Sequence, residues 1–437
     1  AHQPPPFFGA AAGAGFFGTL LILLSSCMKD KVTQTYTIQR PVYQTLTQAR
    51  SAIKSGESSF ITNPGKMSLY KNYIFLNEAS KGIHVIDNTD PSHPRNVSFI
   101  NIPGNTDLAI KNDILYANEA YGDLVAIDVQ DPAKATVKKY LTGVFGSPYN
   151  YTSATSTNPD SIQVITGWTS KDTTVNVDPG NPYLGVYPGG SCPNCSFFYS
   201  GVAAPNGANV SNPNTVGTNG STSGFAIIDQ YLYALANGSY LNVVDISTVA
   251  NPALANTLTL SGFYETIYPF ENKLFMGASN GMYIYDLSDP STPVKQGGFA
   301  HVRTCDPVIT DGKYAFVTLR SASACQGNTN ELDILDVSNL NNPTLLKTYP
   351  LSNPSGLSKD GNLLFICDGK DGLKIYNASD ISHLSLIKTI GNIEAGEVIA
   401  QNGNAILIAT DGLYQYDYSD ATNIHQVSKI NSHAAGL

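Results

Sequence analysis

The sequence predicts an all-β chain folded as a β-propeller, most simply of seven four-stranded blades, with a long loop and hairpin insertion. Three observations predict it. First, one phrase recurs seven times, from GIHVIDNTDPSHP (Gly82–Pro94) to GLYQYDYSDATNI (Gly412–Ile424), anchored on Asp87, Asp128, Asp245, Asp286, Asp336, Asn377 and Asp417. Second, the anchors are 41, 117, 41, 50, 41 and 40 residues apart, and a period near 40–45 residues is that of a propeller blade. Third, each unit holds strand patterns and no helical periodicity. An aromatic-rich run such as NYIFLNEA or KYAFVTLR follows an Asn-, Asp- or Gly-containing turn. The anchor strand then alternates and stops at a Ser/Asp/Asn-Pro turn, and a last strand such as RNVSFINI or TLLKTYPL completes the unit.

Taken along the chain, residues 1–26 read as an export signal, because Phe7 to Leu24 is uncharged, short and rich in small residues. Leu24-Ser25-Ser26-Cys27 resembles the lipobox of bacterial lipoproteins. That resemblance implies cleavage before Cys27 and lipidation of its thiol, which anchors a protein by burying acyl CH2 groups. Met28-Lys29-Asp30-Lys31 is similar to signals that send Bacteroidota lipoproteins to the outer cell surface. Residues 27–56 read as a polar, lipid-anchored tether with one short helix near Gln44 to Ile53, where Leu46, Ala49 and Ile53 share a face. Residues 57–430 form the single propeller domain. The 117-residue gap is one repeat plus an insertion of about 147–223, rich in Asn, Gly, Pro, Ser, Thr and Tyr, in which Ser161 to Val177 reads as a hairpin. An eighth, degenerate blade there is the alternative, and a loop this long is otherwise functional or disordered.

The repeat, apolar-x-Val/Ile-x-Asp-Ile/Val-Ser-Asp-Pro, resembles the LVIVD repeat of Bacteroidota surface lipoproteins, from about Pro41 to Lys429. Pro64-Gly65-Lys66, Gly167-Trp168-Thr169, Cys305-Asp306-Pro307 and Thr318-Leu319-Arg320 are similar to that family as well. The resemblance implies a propeller and an outer-membrane address, and implies no ligand.

Composition excludes some function classes. Of 437 residues 14% are charged and the net charge is −9 with no basic run, so a nucleic-acid partner is not expected. Cys305 and Cys325 flank one hairpin and are expected to form a disulfide. Cys192 and Cys195 have Cys-x-x-Cys spacing; without a βαβ context or further zinc ligands, a local disulfide is preferred to redox or zinc. Cys367, in an apolar strand, reads as a buried thiol. The Asp-rich turns invite calcium, but Asp and Ser side chains also cap turns, and that reading is preferred. No metal site, cofactor or catalytic constellation is assigned. Glu394 and Glu397 are noted only as a nearby carboxylate pair.

Propellers bind where blade loops converge on the central channel. The residues leading into inner strands are therefore the candidate ligand set: Asn105, Asp107, Tyr264, Glu265, His301, Arg303, Asp306 and Asn353, with Ser355 beside the last. A polar ring that solvates the channel is the structural alternative. Asp160-Ser161-Ile162 and Asp172-Thr173-Thr174 are similar to Bacteroidota O-glycosylation sites, with Ser161 and Thr173 as acceptors. The expected function is a lipid-anchored, outer-membrane, cell-surface module binding an envelope protein or glycan. A carbohydrate- or lactone-hydrolysing enzyme at the channel mouth, and a structural subunit of an outer-membrane assembly, are the alternatives.

Overall fold

Every repeat becomes a four-stranded antiparallel meander, and seven of these occur among the residues that the computed structural model describes, 32–145, 158–177, 216–301, 307–321 and 329–433. They span Pro64–Asn101, Leu108–Leu141, Phe225–Thr259, Tyr264–Ala300, Val308–Pro350, Leu357–Ile390 and Ala395–Asn431, and are called the first to seventh sheets below. Among the described residues, 32–38 with 171–177 belong to one compact unit and the rest to another; all seven sheets lie in the second.

The core runs as a belt between neighbouring sheets. Phe75 and Val85 pack on Leu108 and Ile127, Tyr116 on Leu232, Tyr233 on Leu274, and Phe275 on Phe316, Ile334 and Ile366. Phe365 then packs on Leu407, and Ile399 and Ile406 of the seventh sheet meet Met67 and Leu76 of the first. The hydrogen bond from Ser428 Oγ to the Pro91 carbonyl (2.7 Å) joins these same two sheets. The fold is a β-propeller, closed by contacts between its last and first sheets.

The seven anchors share one local geometry. The backbone N–H two residues on donates to the anchor side chain, as from Thr89 to Asp87 (3.0 Å), Ser338 to Asp336 (2.8 Å) and Ser379 to Asn377 (2.9 Å). The same bond is present at Asp128, Asp245, Asp286 and Asp417. The capping role expected of these turns is thus what their side chains perform. A second shared device is a register shift between the third and fourth strands, one residue before each anchor. It leaves one extra residue on every outer strand: Val97, Lys138, Ala255, Gln296, Leu346, Ile387 and Val427. A bulge bends an exposed edge and spoils it as a template for further strands.

Strand direction defines two ends. Turns joining the first to the second strand and the third to the fourth lie at one end, with the anchors. The second-to-third turns and the links between sheets lie at the other, the loop face. Gly82 and Gly281 sit there at φ 151° and 158°, where a Cβ would overlap the Ile100 and Phe299 carbonyls of the neighbouring strand.

The segment before the first sheet is more structured than a plain tether. Strand β1 (Val32–Thr45) leads into helix α1 (Leu46–Ser51), then strand β2 (Lys54–Gly56). Thr45 and Gln48 form a capping box at the start of α1. Leu46 and Ala49 pack on Ala120, Ile162 and Val164, and β2 extends the outer edge of the first sheet opposite Phe99 to Asn101.

The hairpin expected over Ser161–Val177 is corrected by the structure. It is one continuous strand, Gln163–Val177, hydrogen-bonded to β1. Thr37 Oγ1 donates to Asp172 (2.7 Å) and Thr169 Oγ1 to the Arg40 carbonyl (3.4 Å), an antiparallel pairing. None of its residues takes the positive φ that a tight hairpin turn requires, so the strand finds its partner elsewhere. Most of the insertion weighed as an eighth blade lies outside the described residues.

Candidate functional site

Residues 216–224, the end of the insertion, run across the inner strands. Thr218 and Asn219 pair with Leu69 and Ser68 of the first sheet, and the Gly217 N–H donates to the Ile110 carbonyl of the second (2.8 Å). The Ser223 carbonyl accepts from the Ile267 N–H of the fourth sheet (2.9 Å). Thr222 Oγ1 donates to Glu397 of the seventh (3.2 Å). Ser221, Thr222 and Ser223 are all fully buried. One small-residue segment thus ties together inner strands from four sheets. Its glycines make this possible, because a Cβ on Gly220 would overlap the Glu397 carboxyl.

Asp107 is the hub of that region. Its carboxylate accepts from Lys66 Nζ (2.8 Å), the Gly224 N–H (2.6 Å), Ser223 Oγ (2.8 Å) and the Leu108 N–H (2.8 Å). Glu397 is its counterpart: burial pushes its carboxyl well up, opposed by the Thr222 hydrogen bond and the Lys66 charge. Lys66 and Asp107 form an ion pair beside it, with Nζ 2.8 Å from Oδ2.

The sequence-selected residues divide sharply. Asn105 is buried, donating to the Asp107 carbonyl (2.8 Å) and accepting from Asn77 Nδ2 (2.6 Å), so it joins the first two sheets. Tyr264 is buried with its hydroxyl 3.2 Å from that of Tyr285. Glu265 is half-buried near Arg320, and His301 is half-buried near Glu331 and Asp333. Asn353 is exposed; its N–H donates to Asp368 (2.7 Å), and Ser355 Oγ donates to the Gly396 carbonyl (3.0 Å). Asn105 and Asp107 are therefore committed to internal bonds, whereas Asn353 faces solvent. Arg303, Asp306, Cys27, Cys192, Cys195, Cys305 and Cys325 lie outside the described residues. Ser161 is exposed, in a turn capped by Asn158 rather than Asp160, and Thr173 is half-buried on the long strand. Cys367 is a buried free thiol.

What the sequence reading missed lies at the rim of the loop face. A cavity of about 320 Å³ is lined by Phe60, Phe99, Lys81, Glu78, Asn101 and Thr166, among others. Phe60 is 71% exposed and lies against the His433 ring, centroids 4.1 Å apart. Glu78, despite burial that alone would raise its carboxyl, is held down at about 2 by hydrogen bonds from His84, Thr62 and Lys81. Phe60 stands in a loop between charged and Ser-rich stretches, and only the fold brings Phe99 and Lys81 to it. An exposed Phe before an inner strand was the one available signal.

Comparison with known proteins agrees with this architecture. The LVIVD repeat model matches residues 219–259, 271–300 and 304–350, which fall in the third, fourth and fifth sheets. A protein from Lactobacillus plantarum is similar in structure, with TM-score 0.52 and 14% identity over 84% of this chain and 97% of that one. The computationally designed Ika8 protein is similar at TM-score 0.51 and 10% identity, over 87% and 89%. At such identities the likeness is one of fold alone. No curated protein matches the chain. The chain is a β-propeller whose third to fifth sheets match the LVIVD repeat model.

Proposed function

We propose that the protein is a binding or scaffold module, held at the outer-membrane surface by a lipid on Cys27, that presents its loop face to an envelope protein or glycan. One observation carries the reading. The inner polar residues Asn105 and Asp107 are spent on the 216–224 segment and on neighbouring strands, while the same face keeps exposed aromatic groups, Phe60 and Phe263, at its rim. Exposed apolar rings above a rigid scaffold are a feature of recognition surfaces. A hydrolytic site at the channel mouth would have to use Asp107 and Glu397 while both are bonded to that segment.

Binding of the purified full chain to envelope fractions of its host tests this. Saturable binding should be weakened at least tenfold by Phe60→Asp with Phe263→Asp, and unchanged by His93→Ala on the anchor end. Equal loss from both variants would overturn the loop-face reading. Anchoring is read separately: Cys27→Ala should abolish palmitate labelling, and persistent labelling removes Cys27 from the proposal.

A further inference from the structure

We propose that the rim cavity beside Phe60 takes a neutral hexopyranose unit, so that the partner of the loop face is a glycan; this rests on the binding-module reading above. The cavity, about 320 Å³, is at the small end of ligand pockets, suited to a ring-sized group. Its walls are of two kinds. Phe60 and Phe99 offer ring faces, each steadied by a histidine: His433 against Phe60, and His84 against Phe99 at 4.9 Å between centroids. The C–H bonds on one face of a pyranose meet the negative face of such a ring favourably. The lining also includes residues with groups fit for hydroxyls: Thr166, Lys81 and Asn101, whose Nδ2 donates to the Ala52 carbonyl (2.9 Å).

Charge selects among sugars. Among the described residues, Lys81 is the only basic side chain lining the cavity. It is already matched by Glu78, with Nζ 3.1 Å from Oε1, and it also donates to Thr62 Oγ1 (2.9 Å). Glu78 is in turn fixed by the Thr62 and Asn63 N–H groups (3.0 and 2.9 Å) and by His84 (3.1 Å). An ammonium has three donors, so Lys81 keeps one for a ligand hydroxyl, while its charge is spent. A uronate carboxylate would have to compete with Glu78 for it. A purely apolar ligand would offer the polar groups of the lining no partner.

Titration calorimetry and saturation-transfer NMR on the full chain test the assignment. The probes are the methyl pyranosides of glucose, galactose, mannose and N-acetylglucosamine, with methyl glucuronoside as the charged comparison. At least one neutral probe should bind, at least tenfold more tightly than the glucuronoside. Phe60→Ala should weaken it tenfold or more and Phe60→Trp should preserve it; Phe60 is 71% exposed, so neither variant threatens the core, and an unchanged thermal midpoint verifies that. Lys81→Met should weaken it less. Tighter binding of the glucuronoside, binding indifferent to Phe60→Ala, or no binding of any neutral probe each overturns the proposal. Should the probes fail while envelope binding still depends on Phe60 and Phe263, the glycan falls and the binding-module reading stands.

Discussion

At the scale of single residues, the described carboxyl groups obey two opposite rules, set by where the fold puts them. Glu119 is buried where α1 meets the second sheet. Arg50 of that helix pairs with Asp123 and lies 4.3 Å over the Tyr140 ring. One Glu119 oxygen accepts from the Tyr121 N–H (2.9 Å), and burial first, then the Asp123 charge, pushes its carboxyl up to about 7 against the Arg50 charge. An acid whose folded value exceeds its unfolded value of 4.5 favours the folded state most below 4.5. That advantage drains away as pH rises to about 7. Glu119→Gln retains an acceptor for Tyr121 and removes the charge. Its thermal midpoint should exceed that of the wild type at pH 8 and match it at pH 4; equal midpoints at pH 8 would show that Glu119 is solvated.

At the scale of elements, the segment 216–224 replaces what would otherwise be open space among the inner strands. Gly220 abuts the Glu397 carboxyl so closely that any side chain collides. Gly220→Ala should therefore destabilise by about 1–3 kcal/mol, the cost of overpacking. Glu397→Ala should relieve much of it, giving a coupling in a double-mutant cycle. Additive effects in chemical denaturation would mean that the segment does not sit against Glu397. The contrast between this segment and the blades shows what a sequence exposes. The repeat phrase made every sheet legible, because period-2 alternation and Asp-capped turns are local signals that recur seven times. The segment GTNGSTSG has no periodicity and lies in a polar stretch, so its burial depends wholly on tertiary contacts with four sheets. For the same reason Asp107 was legible as a residue that mattered but not as an internal hub. The Phe60 cavity, assembled from positions far apart in sequence, left no signal beyond a Phe before an inner strand. The strand Gln163–Val177 was recognised as β structure, but its partner β1 lay in a segment too polar to announce a strand.

For the whole molecule, five of the seven anchors form a titrating set at one end of the propeller. Asp87 is lowered to about 2 by hydrogen bonds from Thr89 and by Arg95, and Asp286 to about 2 by Lys273 and Ser288. Asp128, Asp336 and Asp417 are lowered in the same way, as are Asp90, Asp289, Asp380 and Asp420 in the turns just beyond. Each lies below its ordinary value, so the stability it contributes is complete above about pH 4 and is lost as pH falls below that, for Asp87 and Asp286 by about 2. Glu119 and Glu397, raised by burial, run the other way: their cost is absent below the unfolded value of 4.5, begins as pH rises through it, and for Glu119 is complete only above about 7. Taken alone, Glu119 makes stability rise as pH falls from about 7 to 4.5, and the lowered aspartates make it drop below about 4. The molecule carries its own control, because the sixth repeat has Asn377 at the anchor, and its amide accepts from the Ser379 N–H (2.9 Å) as the carboxylates do elsewhere. Asp87→Asn and Asp286→Asn should therefore keep the turns while removing their share of the acid loss. Thermal midpoints of the double variant should lie slightly below those of the wild type at pH 7, where the charge-assisted bonds to Arg95 and Lys273 are gone, and converge on it by pH 2. A gap that stays constant from pH 7 to pH 2 would mean that these two anchors act only as turn caps and carry none of the acid sensitivity.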